Sequence, residues 1–273
     1  LLAELEPLVA PLADLTQPEE LLILVPTGLL WSLPLHALEI AGSPLLARNP
    51  VVYAPSLNTL RHCLARERIG AAGAGAVLFG DPGGDREETA ALLTLLFELL
   101  GGHVLQGDAV SQANFAAAVQ GKALVHFHGH AVHLPSQPLE SHLRLADYAL
   151  TAREIFDLDN LTADLVSLAA CSSGANVISA GDELIGLIPA FLYAGANAVL
   201  ATLWPVTQTA SAELLLLFYT TLYNSSSVLD KATALRQAAL LLRADGRYAS
   251  PYYWAPYVLH GDWRQERGDD HDR

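Results

Sequence analysis

The chain contains no methionine and only two cysteines, Cys63 and Cys171, in 273 residues. With leucine at position 1 it reads as a piece of a longer protein. Glu4, Glu6 and Asp14 near the start exclude the basic opening of a secretory signal. So few cysteines exclude a disulfide-framed fold and suit a reducing, cytoplasmic compartment. Basic residues are scarce as well, 15 Lys and Arg against 29 Asp and Glu, for a net charge of −14. That balance disfavours nucleic acid and anionic membrane surfaces as partners. No apolar run reaches the roughly 18 uninterrupted residues of a spanning helix. The mean hydropathy of +0.30 and hydrophobic content of 52% therefore reflect an Ala- and Leu-rich interior.

What is present is an alternation of short apolar runs and longer helical patterns. Strands are expected at 21–25, 51–54, 76–79, 103–105, 123–130, 161–171, 198–203 and 254–259. Helices are expected at 87–100, 112–119, 181–194, 208–223 and 228–243. Such alternation predicts βαβ units, a mostly parallel sheet covered on both faces and an α/β fold. Residues 1–17 read as a linker helix or the end of an upstream module, 18–262 as one domain, and 263–273 as a charged, disordered tail.

Cys171 ends the apolar run 161–171 and is followed at once by Ser172, Ser173 and Gly174. A companion run ends in His130. In open parallel sheets, ligands and chemistry collect beyond the carboxyl ends of the strands, and neighbouring strands lie about 4.8 Å apart. Two such ends can bring an imidazole to a thiol, which lowers the thiol pKa from about 8.5 into the range of roughly 3.5–7.5. The thiolate can then attack a peptide carbonyl. The backbone N–H of Cys171 is a candidate donor to the developing oxyanion. A lone cysteine at a strand end is also a common inert core residue.

His126, His128 and His130 alternate along their strand and so share one face. His-x-His on a strand suits zinc, so a zinc hydrolase is one alternative. No Asp or Glu lies between His126 and Glu140 to complete a ligand set. His126 reads as core, His130 as the group at the sheet edge, and His128 stays ambiguous, with Gly129 permitting close backbone approach. Asp182 and Glu183 fit either a pocket for a basic side chain or the first turn of a helix, where the dipole favours acids. Trp204 is either a wall of a substrate groove or core, and Asp81 reads as a turn residue.

The chain resembles the CHAT domain family, caspase-like cysteine peptidases of the caspase–separase–gingipain clan. The segments LVPTGLLWSLPLHAL (24–38), YAPSL (53–57), GDP (80–82), VHFHGHA (125–131), LVSLAACSSG (165–174), GDELIGLIPAFLYAG (181–195), ATLWPV (201–206) and YYWAPYVLHG (252–261) carry the resemblance in order. It implies a caspase–hemoglobinase-like α/β/α sandwich and cofactor-free endopeptidase action on protein or peptide substrates. By position, Cys171 is the nucleophile and His130, the last residue of an HFxxH block, the base. Ser141 falls in the expected downstream strand. Backbone donors at Cys171 and Ala131 form the oxyanion site, and Ser172, Asp182, Glu183 and Trp204 line the substrate. Ala131 stands where many relatives have Gly, and Ser172-Ser173 where they carry an acid and Thr. Family members sit behind repeat or sensor modules, which implies a regulatory partner or upstream repeat module. A catalytically silent scaffold of the same fold is the other alternative.

Overall fold

A computed structural model of the protein describes residues 2–66, 75–84, 87–158, 161–170, 177–178, 184–224 and 229–265. Runs of Val, Leu, Ala and aromatic residues, ended by Gly, Pro or a polar side chain, form its strands. In chain order these are β1 (Leu22–Leu24), β2 (Glu39–Ile40), β3 (Ser43–Pro44), β4 (Val51–Tyr53), β5 (Ala76–Gly80), β6 (His103–Gln106) and β7 (Leu124–Val132). They continue as β8 (His142–Arg144), β9 (Ala149–Thr151), β10 (Leu165–Ala170), β11 (Val177–Ile178), β12 (Leu184–Ile185), β13 (Ala198–Thr202) and β14 (Tyr257–Gly261).

The main sheet runs β1-β4-β14-β13-β10-β7-β5-β6, with β8 hydrogen-bonded to β7 and β9 to β8. Along the main path every neighbour pair is parallel except β13–β14. Two parallel blocks of opposite direction therefore meet at that pair. The carboxyl ends of β5, β7, β10 and β13 and the start of β14 all come to one edge of the sheet.

Helices cover both faces, giving the expected α/β/α layering. Against one face lie α2 (Glu87–Leu100), α6 (Gln208–Asn224) and α7 (Lys231–Ala244). Against the other lie α1 (Leu57–Ala65), α3 (Gln112–Ala118), α4 (Ala152–Phe156) and α5 (Leu187–Ala194). Because side chains alternate across a strand, the core splits cleanly. Leu78, Leu124, Leu165 and Leu200 join Leu214 and Phe218 of α6, whereas Phe79, Phe127, Val166 and Val199 join Phe115 of α3 and Phe191 of α5.

Three segments depart from the sequence expectation. The helix expected from 181 starts at Leu187, because Gly186 stands as its N-cap and Leu184–Ile185 pairs with Val177–Ile178. The closing strand starts at Tyr257 and not at Trp254. Ser250 and Pro251, good N-cap and N1 residues, open a short helix over Pro251–Trp254 first. The strand expected from 161 begins at Leu165; just before it Asp164 forms an ion pair at 2.9 Å with the buried Lys231. At the amino end, Val9 is part of the core and Arg48 donates to Thr16 Oγ1 (2.7 Å). Of the segment read as a tail, Trp263 packs on the core and Arg264 pairs with Asp262; residues 266–273 lie outside those described.

The interior holds several neutral imidazoles. His260 of β14 stacks on Trp31 (6.1 Å between centroids), and His36 bonds Tyr53 Oη at 3.0 Å and the Ala255 carbonyl at 3.1 Å. Burial pushes the His36 pKa down to about 4 and that of His260 down to about 3. In the unfolded chain both return to the ordinary value near 6.5. The unfolded state thus binds more protons below pH 6.5, and stability is lost as pH falls from 6.5 toward 3–4. Urea unfolding at pH 7 and pH 4.5 should differ by several kcal/mol, and His260→Phe should show a shallower loss than the parent. Equal stability of the parent at the two pH values would contradict this.

Candidate active site

The candidate site is built on one register. Six residues of β10, Leu165 to Ala170, pair in parallel with Leu124 to Gly129 of β7. The last pair is Ala170 with Gly129, one residue short of Cys171 on one chain and of His130 on the other. Cys171, Ser172, Asp182 and Glu183 lie outside the described residues. The described helix α5 starts at Leu187 with Gly186 as its N-cap.

His130 is half-buried in β7. The strand does not turn there, contrary to expectation. Among the described residues β5 pairs with it to His128 and β10 to Gly129, and β7 runs on to Val132 as a ribbon with β8. In that ribbon His130 stands opposite Arg144 and Ala131 opposite Leu143. Gly129 is needed sterically: a Cβ there would lie 2.9 Å from the Phe127 ring and 3.1 Å from Pro82. Ser141 precedes β8 and is not within it; its buried Oγ accepts from the Leu134 N–H at 3.0 Å, tying down the ribbon's loop. Asp81 takes a left-handed turn conformation (φ 47°) and donates its N–H to the His128 carbonyl at 2.9 Å.

The three alternating histidines occupy different environments. His126 is fully buried, its Nδ1 3.1 Å from Tyr219 Oη and 3.3 Å from Ser167 Oγ. Burial, with a smaller effect of His128, pushes its pKa down to about 3. That is a core residue, as its position implied. His128 is buried next to it, 6.1 Å between ring centroids. It lines a cavity of about 20 Å³ with Ala170, Thr202, Ser211 and Tyr257. Among the described residues no three His, Cys, Asp or Glu side chains are grouped to hold a metal ion, and His126 has its Nδ1 engaged.

Trp204 lies just past β13, half-buried against the core. Its indole N–H donates to the Tyr252 carbonyl (3.1 Å), and Tyr252 Oη donates back to the Pro205 carbonyl (3.0 Å). With Pro34 and Pro251 these residues wall an open groove of about 440 Å³. Sequence reasoning missed Thr202, whose Oγ1 donates to the Ala170 carbonyl at 2.7 Å. A lone hydroxyl ending an apolar strand run was the available signal. Cys63 is buried in α1 on the opposite face of the sheet, and burial pushes its thiol pKa up. No described helix is long and apolar enough to cross a membrane.

Among curated proteins, the chain is similar to human tetratricopeptide repeat protein 28, 27% identical over 86% of this chain and 11% of that protein. The mouse protein of the same name is 36% identical over 43% of this chain and 5% of its own length. The chain thus spans about a tenth or less of the curated relatives it matches. Among solved structures, Saccharomyces cerevisiae separase in its securin complex superposes with a TM-score of 0.62 at 16% identity, covering 84% of this chain and 15% of that one. The Arg-specific cysteine proteinase gingipain R gives 0.60 at 13% identity, covering 82% and 57%. These likenesses identify the fold as caspase-like. The family match extends over residues 3–262, and the chain belongs to the CHAT domain family.

Proposed function

We propose that this chain is a cysteine endopeptidase in which Cys171 attacks a peptide carbonyl and His130 serves as base and then acid. The supporting observation is the register that pairs Ala170 with Gly129. Counting one residue on along each chain gives Cys171 and His130. Consecutive Cα atoms are about 3.8 Å apart and neighbouring strands about 4.8 Å, spacings that support a hydrogen-bonded thiol–imidazole pair. His130 takes the thiol proton, the thiolate adds to the carbonyl carbon, and the backbone amides of Cys171 and Ala131 receive the oxyanion. Collapse expels the amine, which His130 protonates, and leaves an acyl-enzyme. Water, activated by the same imidazole, then releases the acid.

Substrates are proteins or peptides. Ser172 follows the nucleophile directly in sequence, Asp182 and Glu183 come 11 and 12 positions after it, and the Trp204 groove is one strand over from Ala170, at the same edge of the sheet. An apolar substrate side chain fits that groove. The relatives named for tetratricopeptide repeats support a regulatory protein partner or an upstream repeat module. They also favour a second reading, a silent scaffold. A thiol-reactive peptide probe separates the two, because a scaffold leaves Cys171 unlabelled.

Cys171→Ala should abolish cleavage and change stability by no more than about 1 kcal/mol. Cys63→Ala should leave turnover at the parental rate, since that thiol is buried on the other face of the sheet. Residual parental cleavage in Cys171→Ala would show the nucleophile to be another group.

His130→Ala should lower kcat by about 10²–10⁴-fold, the range for a lost acid–base group, and slow alkylation of Cys171 at pH 6. His128→Ala should lose mainly stability, because it empties a buried site. If the two variants exchange these behaviours in kcat and alkylation assays, His128 is the base.

A further inference from the structure

Thr202 ends β13 and is buried, and its hydroxyl donates to the carbonyl oxygen of Ala170 on the neighbouring strand at 2.7 Å. The paired register of β10 with β13 covers Val166–Val199 and Ser167–Leu200. Three residues further along β10, a side-chain hydroxyl takes over a carbonyl that a strand backbone would otherwise hold. We propose that Thr202 is a positioning residue that orients the peptide group joining Ala170 to Cys171.

The physical reason is the planarity of the amide. The Ala170 carbonyl and the Cys171 N–H are opposite ends of one rigid trans peptide unit. A donor fixed on the oxygen therefore restricts the direction of the N–H at the other end. It also polarises the amide, and hydrogen bonds in series strengthen one another in a low-dielectric interior. That N–H is the donor assigned to the oxyanion above, so the inference rests on the proposed peptidase reading.

The surroundings hold Thr202 in place. As a β-branched residue it is stiff at χ1. Tyr257, its partner across the β13–β14 pair, forms a 2.6 Å hydrogen bond with Ser211. Both line the small cavity beside Ala170 and His128, whose volume of about 20 Å³ exceeds the roughly 10–15 Å³ that one water requires. Thr202 and Ala170 are themselves buried, which screens the bond from bulk solvent.

The test compares Thr202→Val, which keeps the shape and removes the hydroxyl, with Thr202→Ser, which keeps the hydroxyl. Thr202→Ala stands in if the Val variant folds poorly. Each is assayed for kcat and KM on a peptide that the parent cleaves and Cys171→Ala does not, and the amide ¹⁵N resonance of Cys171 is recorded. The Val variant should lower kcat by about 10–100-fold with KM unchanged, less than the 10²–10³-fold loss of a deleted oxyanion donor. Its Cys171 resonance should move, and Thr202→Ser should restore both. A Val variant with the parental kcat, or a Ser variant as slow as Val, overturns the inference. If the parent cleaves nothing, the peptidase reading has failed, and the resonance decides alone: an unmoved Cys171 signal in Thr202→Val overturns the positioning role.

Discussion

The parallel ladder between β7 and β10 is the constraint on which the remaining structure depends. Both strands are buried on both faces, so each backbone N–H and C=O must find its partner within the sheet. A slip of one residue would send His126 and His128 to the apolar face now filled by Val125 and Phe127. The ladder therefore sets the faces and aligns the carboxyl ends of β5, β7, β10 and β13 at one edge. Gly129, pressed against Phe127 and Pro82, is the last described residue of that ladder on β7, and the ribbon with β8 begins at His130.

The two faces of the sheet differ in chemistry. Under α1, α3, α4 and α5 the core is apolar, and Cys63 sits within it as a small hydrophobe. Under α6, a row of polar groups crosses the interior: His126, Ser167 and Tyr219, then His128, Thr202, Ser211 and Tyr257. Buried polar groups need hydrogen-bond partners to be tolerated, and this row supplies several of them mutually. It runs toward the edge where β10 ends, so the polar part of the core leads to the candidate site.

Separase and gingipain share this fold at 13–16% identity, far below the level at which side chains can be equated wholesale. What carries over is the scaffold: a sheet edge to which several strand ends deliver side chains. Function resides in the groups grafted on such a scaffold. For this CHAT domain the groups we propose are Cys171 and His130, with the Trp204 groove one strand over from Ala170. Tetratricopeptide repeat protein 28 matches this chain over about a tenth of its length, so the domain is a small part of a much longer chain there.

Much of the architecture was legible in the sequence because it depends on local pattern. Apolar runs bounded by Gly, Pro and Asp marked the strands, and the 87–100 helix matched to the residue. The family resemblance and the core character of His126 were likewise readable from the order and alternation of residues. Tertiary structure decided the rest, because non-local pairing overrides propensity. Pairing of Val177–Ile178 with Leu184–Ile185 shortened the expected helix to Leu187–Ala194, and pairing with β8 carried β7 past His130. For Thr202 the sequence offered a lone hydroxyl at a strand end but not its partner. Its partner, the Ala170 carbonyl, is 32 positions away in the chain and meets it only once β13 lies beside β10.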